Sequence, residues 1–166
     1  MNSLHVAVLT RKRNLPQKNI RKRNVQAVSD YLLDACALLA LLNDEEGADT
    51  VSNLLDQAER GEITLSISAV NLLEVYYDRI RVAGTDRADA IIQEIYAAFP
   101  IIVIETLTAD IVREAAHLKA AGKMSFADTI LVATARCIGA TVVTCDHAEL
   151  EPIERQEHLP FLWIRP

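Results

Sequence analysis

With 166 residues, 51% of them hydrophobic and only 5% aromatic, the chain has enough apolar material for one compact domain cored by Leu, Ile, Val and Ala. No apolar run reaches the ~18 residues of a membrane span, LHVAVL is too short for a secretory signal, and Cys36, Cys137 and Cys145 lack metal-binding spacing; reduced thiols in a cytoplasm are expected. The net charge of −6 divides unevenly, with seven Lys or Arg and one Asp in residues 1–30 but ten basic and 22 acidic residues after them, which excludes a general polyanion binder unless metal ions or a local basic patch assist.

Residues 1–29 contain RKR twice and no sustained apolar period. They are read as a basic, disordered tail, with an RNA-touching arm as the alternative, ahead of one domain over 30–166. YLLD (31–34) is a short apolar strand leading into the helical composition ACALLALL. GADTVSNLLDQAER (47–60) predicts an amphipathic helix stopped by Gly61. ITLSIS (63–68) is a β-branched strand, followed by a helix with Val70, Leu73, Tyr77 and Ile80 on its apolar face and Gly84 at its end. Thr85 caps the next helix, which stops before Pro100. IIVI (101–104) is a strand candidate, Thr108 opens a helix to Gly122, and Ser125 opens another to about Ile138. TVVT (141–144) and FLWI (161–164) complete the strands. Short apolar strands separated by helices predict an α/β domain of three layers, with a mostly parallel sheet of four to five strands between helices.

In such folds the working groups gather beyond the carboxyl ends of the strands. Asp34 follows YLL directly, and Asp146 comes two residues after TVVT. Asp128 is the sole carboxylate on a helix that is apolar almost all round, and Glu74 borders its helix's apolar stripe. Four clustered carboxylates repel unless a cation sits among them, and Mg²⁺ or Mn²⁺ with oxygen ligands suits them best. The chemistry implied is metal-assisted phosphodiester hydrolysis. Each acid also has an ordinary alternative. Asp34 can cap a helix, Glu74 can face solvent, Asp146 can belong to a turn, and Asp128 can cap backbone N–H groups in an S-x-x-D helix start with Ser125.

YLLDACALLALL, ISAVNLLEV, MSFADTILVATA and TVVTCDHAEL, in that order, resemble the motifs of PIN-domain ribonucleases, most of all the VapC-type toxins of bacterial toxin–antitoxin pairs. The resemblance spans Tyr31 to Pro166. It implies a Mg²⁺- or Mn²⁺-dependent endoribonuclease that forms a homodimer and is silenced by a cognate antitoxin, with Asp34, Glu74, Asp128 and Asp146 as metal-binding and catalytic acids. Thr144 and Ser125 are supporting hydroxyls. Cys36 departs from the pattern, standing where many relatives have Ser or Thr, and is read as a small buried residue. Arg79, Arg81, Lys119 and Lys123 are candidate RNA contacts or plain surface charge. His117 and His147 are too isolated for a zinc site, though His147, beside Asp146, is a remote substrate contact. Tyr76 and Tyr77 are expected in the core or a subunit interface. Two other readings are a catalytically silent PIN-like binding module and a phosphoryl-transfer domain of haloacid-dehalogenase or receiver type.

Overall fold

The computed structural model describes residues 29–122, 124–157 and 159–166. The expected basic tail lies outside the described residues apart from Ser29, which opens the first strand, and Lys123 lies outside them as well.

Five strands form one sheet in the order β3-β2-β1-β4-β5, with every neighbouring pair parallel. They are β1 (Ser29–Leu33), β2 (Ile63–Ser68), β3 (Ile102–Ile104), β4 (Thr141–Thr144) and β5 (Phe161–Trp163). Between them run α1 (Ala35–Asn43), α2 (Ala48–Glu59), α3 (Ala69–Ala83), α4 (Thr85–Ala98), α5 (Ala109–Ala121), α6 (Phe126–Ile138) and α7 (His147–Glu157).

The strand period of two divides the core into two halves. Leu33 and Val143 face a cluster formed with α1, α2 and α3, through Leu38, Val51, Leu54, Leu72 and Val75. Leu32 and Val142, one residue away in each strand, face α5, α6 and α7 through Ile111, Leu118, Leu131, Val132 and Leu150. This confirms the predicted three layers. All four strand residues are completely buried, and each such side chain contributes roughly 1.5–3 kcal/mol relative to exposure.

The chain builds outward from β1 to β2 and β3, then returns to lay β4 on the other side of β1. The β1–β4 boundary is therefore the switch point where parallel sheets open a crevice at their carboxyl ends. Leu33 pairs with Val143 across it, and the Asp34 N–H donates to the Val143 carbonyl at 2.9 Å, so the sheet's own hydrogen bonding sets where Asp34 stands.

Helix α3 differs from expectation. Its buried residues are Asn71, Leu72, Val75 and Arg79, whereas Leu73, Tyr77 and Ile80 are exposed and Val70 is half-buried. The helix carries two apolar stripes, and the sheet accepts the one through Leu72 and Val75. Helix α7 was not foreseen, because its strongly polar composition and internal Pro152 argue against a helix. It is anchored by Leu150, which is completely buried, and by Ile153, which packs against the same cluster.

Gly47, just before α2, has φ +94°, and a Cβ there would lie 2.7 Å from the Ile164 carbonyl oxygen. Backbone strain and collision with backbone coincide at this residue. Gly47→Ala is expected to cost roughly 1–3 kcal/mol in urea unfolding, against almost nothing for a substitution at exposed Glu46.

Candidate active site

Asp34 is both the N-cap of α1 and the floor of a cleft. Its Oδ1 accepts from the Ala35 N–H at 2.6 Å and from Asn71 Nδ2 at 3.1 Å. Its Oδ2 accepts from Thr144 Oγ1 at 2.8 Å and from Cys36 Sγ at 3.1 Å. Each donor comes from a strand end or a helix start, so the carboxylate is held in one orientation by neutral groups alone. Burial pushes its pKa up, partly opposed by the bonds from Cys36, Thr144 and Ala35, and the charge of Asp146 raises it further.

Asp128 lies in the first turn of α6, where Ser125 is the N-cap and accepts from the Asp128 N–H at 3.1 Å. The Ser125 hydroxyl donates in turn to Asp128 Oδ2. In a complete capping box the Asp128 carboxylate would return to the Ser125 N–H. Here that N–H donates to Glu149 Oε2 at 3.1 Å instead. The backbone-capping alternative for Asp128 is thus corrected: Glu149 does the capping, and Asp128 is left to face the cleft. The Asp128 carboxyl is pushed up to about 7, first by burial and then by its hydrogen bond with Glu149, whose own pKa is lowered by that bond. The two carboxyls are thus driven in opposite directions, Asp128 up and Glu149 down.

Asp146 caps α7, accepting from the Glu149 N–H at 3.2 Å, while its own N–H donates to Thr144 Oγ1 at 3.1 Å. Thr144, completely buried, thereby ties Asp34 to Asp146 through one hydroxyl. Glu74 is half-buried on α3, and its pKa is raised by burial and by the charge of Asp34.

These elements enclose an open cleft of about 330 Å³ lined by Asp34, Glu74, Asp128 and Asp146 together with Ser125, so the four predicted acids and one predicted hydroxyl come together. Asp78 and Glu149 add two more carboxylates to the wall, and Arg81 is the one cation among its described lining residues. Sequence reasoning missed Glu149 and Asn71. The D-x-x-E run 146–149 and the S-x-x-N run 68–71, both helix-start patterns, carried the available signal.

The other predicted contacts separate. Arg79 is buried, ion-paired with Asp78 and donating to Asn43 Oδ1 at 2.6 Å, so its reading as an RNA contact is corrected: the guanidinium is consumed inside the fold. Lys119 donates to the Met124 carbonyl and stands 5.9 Å from the centre of the exposed Phe126 ring, outside the cleft wall. His147 bonds the Arg165 carbonyl at 3.0 Å and stacks on Trp163, a structural role that takes it away from substrate. His117 is exposed on α5, and Tyr76 bonds Asp89 between α3 and α4. Cys36 is half-buried and more than filler, since it bonds Asp34, touches Thr144 Oγ1 at 3.3 Å and accepts from the Cys145 N–H at 3.1 Å. The Cys36 thiol is pushed far up by the neighbouring Cys145 and by burial, and Cys145 is lowered to about 7 by Cys36 and by Arg165.

Six carboxylates face the single guanidinium of Arg81 among the described lining residues, an excess of hard oxygen donors that suits a small divalent ion. Among the described residues no group of three or more Asp, Glu, His or Cys side chains is arranged to hold a metal ion.

A PIN domain family model matches residues 31–152, a span that runs from β1 to α7 and includes every acid of the cleft. No curated protein sequence matches the chain. Among solved structures, VapBC2 of Rickettsia felis, bound to a DNA fragment from its promoter, superposes with TM-score 0.61 at 18% identity, covering 80% of this chain and 97% of that one. VapC20 of Mycobacterium tuberculosis, described as a sarcin-ricin loop cleaving toxin, gives TM-score 0.57 at 19% identity over 74% and 94% of the two chains. FitAcB of Neisseria gonorrhoeae gives 0.58 at 15% identity over 81% and 97%. At these identities the structures share the fold, and the family model, which covers most of the chain, shows the family. The chain belongs to the PIN-domain family.

Proposed function

We propose that this protein is a Mg²⁺- or Mn²⁺-dependent endoribonuclease, the toxin of a toxin–antitoxin pair. The observation that carries the reading is the gathering of Asp34, Glu74, Asp128 and Asp146 in one cleft at the β1–β4 switch point, where Arg81 is the one cation among the described lining residues. The solved structures support the toxin assignment, since one similar structure is described as a toxin–antitoxin complex from Klebsiella pneumoniae and VapC20 as a sarcin-ricin loop cleaving toxin.

Asp34 and Asp128 would hold the ion, with Asp146 and Glu74 completing the anionic wall. When bound, the ion supplies charge stabilisation at the scissile phosphate and a more acidic water. Asp34 is fixed by its donors from Ala35, Asn71, Cys36 and Thr144, so little reorganisation is needed on binding. Glu74, half-exposed on the opposite wall, accepts a hydrogen bond from the attacking water and orients it. The Ser125 hydroxyl donates to Asp128, and Glu149 holds the Ser125 N–H. Arg81 is placed to meet a phosphate of the substrate.

The exposed stripe of Leu73, Tyr77 and Ile80 on α3 supports a subunit or antitoxin interface, because apolar side chains in one row are left without cover. No helix among the described residues is long and apolar enough to cross a membrane, which fits a cytoplasmic toxin.

The test is cleavage of a mixed cellular RNA pool by purified protein in Mg²⁺, Mn²⁺ or EDTA. Discrete fragments that vanish in EDTA are expected. In the same assay Arg81→Ala should raise KM severalfold with a smaller change in kcat, as loss of one phosphate contact does. Intact RNA in all three conditions would favour the silent binding module.

A further inference from the structure

Two thiols meet beside the cleft, and the chemistry proposed above uses neither as a ligand. Cys36 is the second residue of α1, and Cys145 follows β4 directly. They are 109 positions apart in sequence, yet the Cys145 N–H donates to Cys36 Sγ at 3.1 Å. Arg165, beyond β5, donates from Nη2 to Cys145 Sγ at 3.1 Å while its Nη1 bonds Glu45 at 3.3 Å. A guanidinium pinned against sulfur stabilises the thiolate, the reactive form. The third cysteine, Cys137, is exposed near the end of α6.

We propose that Cys36 and Cys145 form an oxidation site at which a peroxide converts the two thiols to an intrachain disulfide that disables the carboxylate cleft. The Cys145 thiolate attacks one peroxide oxygen, the O–O bond breaks, and hydroxide leaves with Cys145 as a sulfenic acid. The Cys36 sulfur then attacks the Cys145 sulfur, the S–O bond breaks, and the departing hydroxide takes the Cys36 proton to give water. Two thiols lose two electrons and two protons, and one peroxide becomes two waters. A dithiol reverses the bond by exchange.

The consequence follows from what Cys36 does when reduced. Its S–H donates to Asp34 Oδ2 at 3.1 Å, and its sulfur sits 3.3 Å from the Thr144 hydroxyl that serves the same oxygen. In the disulfide the proton is gone and the sulfur is drawn toward Cys145, so Asp34 loses one of its orienting bonds. The turn bearing Asp146 is also tied to the start of α1. The effect on cleavage rests on the ribonuclease reading; formation of the bond does not.

The full chain is treated with hydrogen peroxide, blocked with iodoacetamide, digested and examined by mass spectrometry. A disulfide-linked peptide pair containing Cys36 and Cys145, with Cys137 alkylated, is expected, and dithiothreitol should abolish the pair. Cys137→Ser should leave it intact. Cys36→Ser, close in shape, should instead leave Cys145 as a sulfenic acid captured by dimedone. Alkylation of both Cys36 and Cys145 after peroxide overturns the proposal. Reduced protein should cleave RNA at least tenfold faster than oxidised protein, with full recovery in dithiothreitol; equal rates overturn the disabling effect. If neither form cleaves RNA the nuclease reading fails, and the loss of Mn²⁺-induced thermal stabilisation in the oxidised form decides that effect instead.

Discussion

Asp34→Asn should lower metal-dependent RNA cleavage at least ~100-fold while leaving the fold intact. The hydrogen-bond pattern around the residue explains both halves of that outcome. An asparagine oxygen in the Oδ1 position still accepts from the Ala35 N–H and Asn71. Its amide nitrogen, in the Oδ2 position, donates to Thr144 Oγ1 and Cys36 Sγ, each of which can turn its proton away and accept. Thus α1 keeps its cap and the β1–β4 junction keeps its bridge. What disappears is the negative charge at the floor of the cleft. A matching circular dichroism spectrum with cleavage near the wild-type rate would show that Asp34 is only a helix cap.

Asp128→Asn should raise the melting temperature of the metal-free protein above pH 7 and flatten its dependence on pH. Burial and Glu149 raise the Asp128 carboxyl from its ordinary value to about 7 in the folded state. The folded chain therefore binds more protons than the unfolded chain between about pH 4 and 7, so stability falls as pH rises through that window. Glu149, lowered by the same contact, acts in the opposite direction and offsets part of this loss. Asp34 and Glu74, also raised, act in the same direction as Asp128. Asparagine cannot ionise, so the variant escapes most of this loss. Added Mg²⁺ should bring the wild type back up, because an ion binds the assembled acids and not the unfolded chain. Thermal melts from pH 5 to 8, with and without millimolar Mg²⁺, check the result. Parallel pH profiles for wild type and variant would mean that Asp128 is not the strained carboxyl.

Much of this architecture was legible because its signals are local. ITLSIS and TVVT became β2 and β4 with the expected limits, since β-branched runs bounded by polar residues leave little choice of register. Ser125 and Thr108 cap the helices they were expected to cap. The acids Asp34 and Asp146 were visible because a parallel sheet puts whatever follows its strands into the crevice.

What escaped depended on tertiary choice. Helix α3 carries two apolar stripes, and composition cannot say which one the sheet will bury; the stripe through Leu72 and Val75 won over that through Leu73 and Tyr77. Arg79 looked available for phosphate until Asn43, from α1, and Asp78 enclosed it. Glu149 belongs to a helix hidden by Pro152, so its reach across to the Ser125 N–H had no sequence frame. Cys36 read as filler because its partner Cys145 lies 109 positions away.

The most direct test of the account is a calorimetric titration of Mn²⁺ into the wild type, Asp34→Asn and Asp128→Asn proteins at pH 7.5. Saturable binding in the wild type, accompanied by proton release and weakened at least tenfold in both variants, is the predicted result. Equal binding in all three proteins, or none in the wild type, would contradict the assignment of this cleft as a metal-dependent active site.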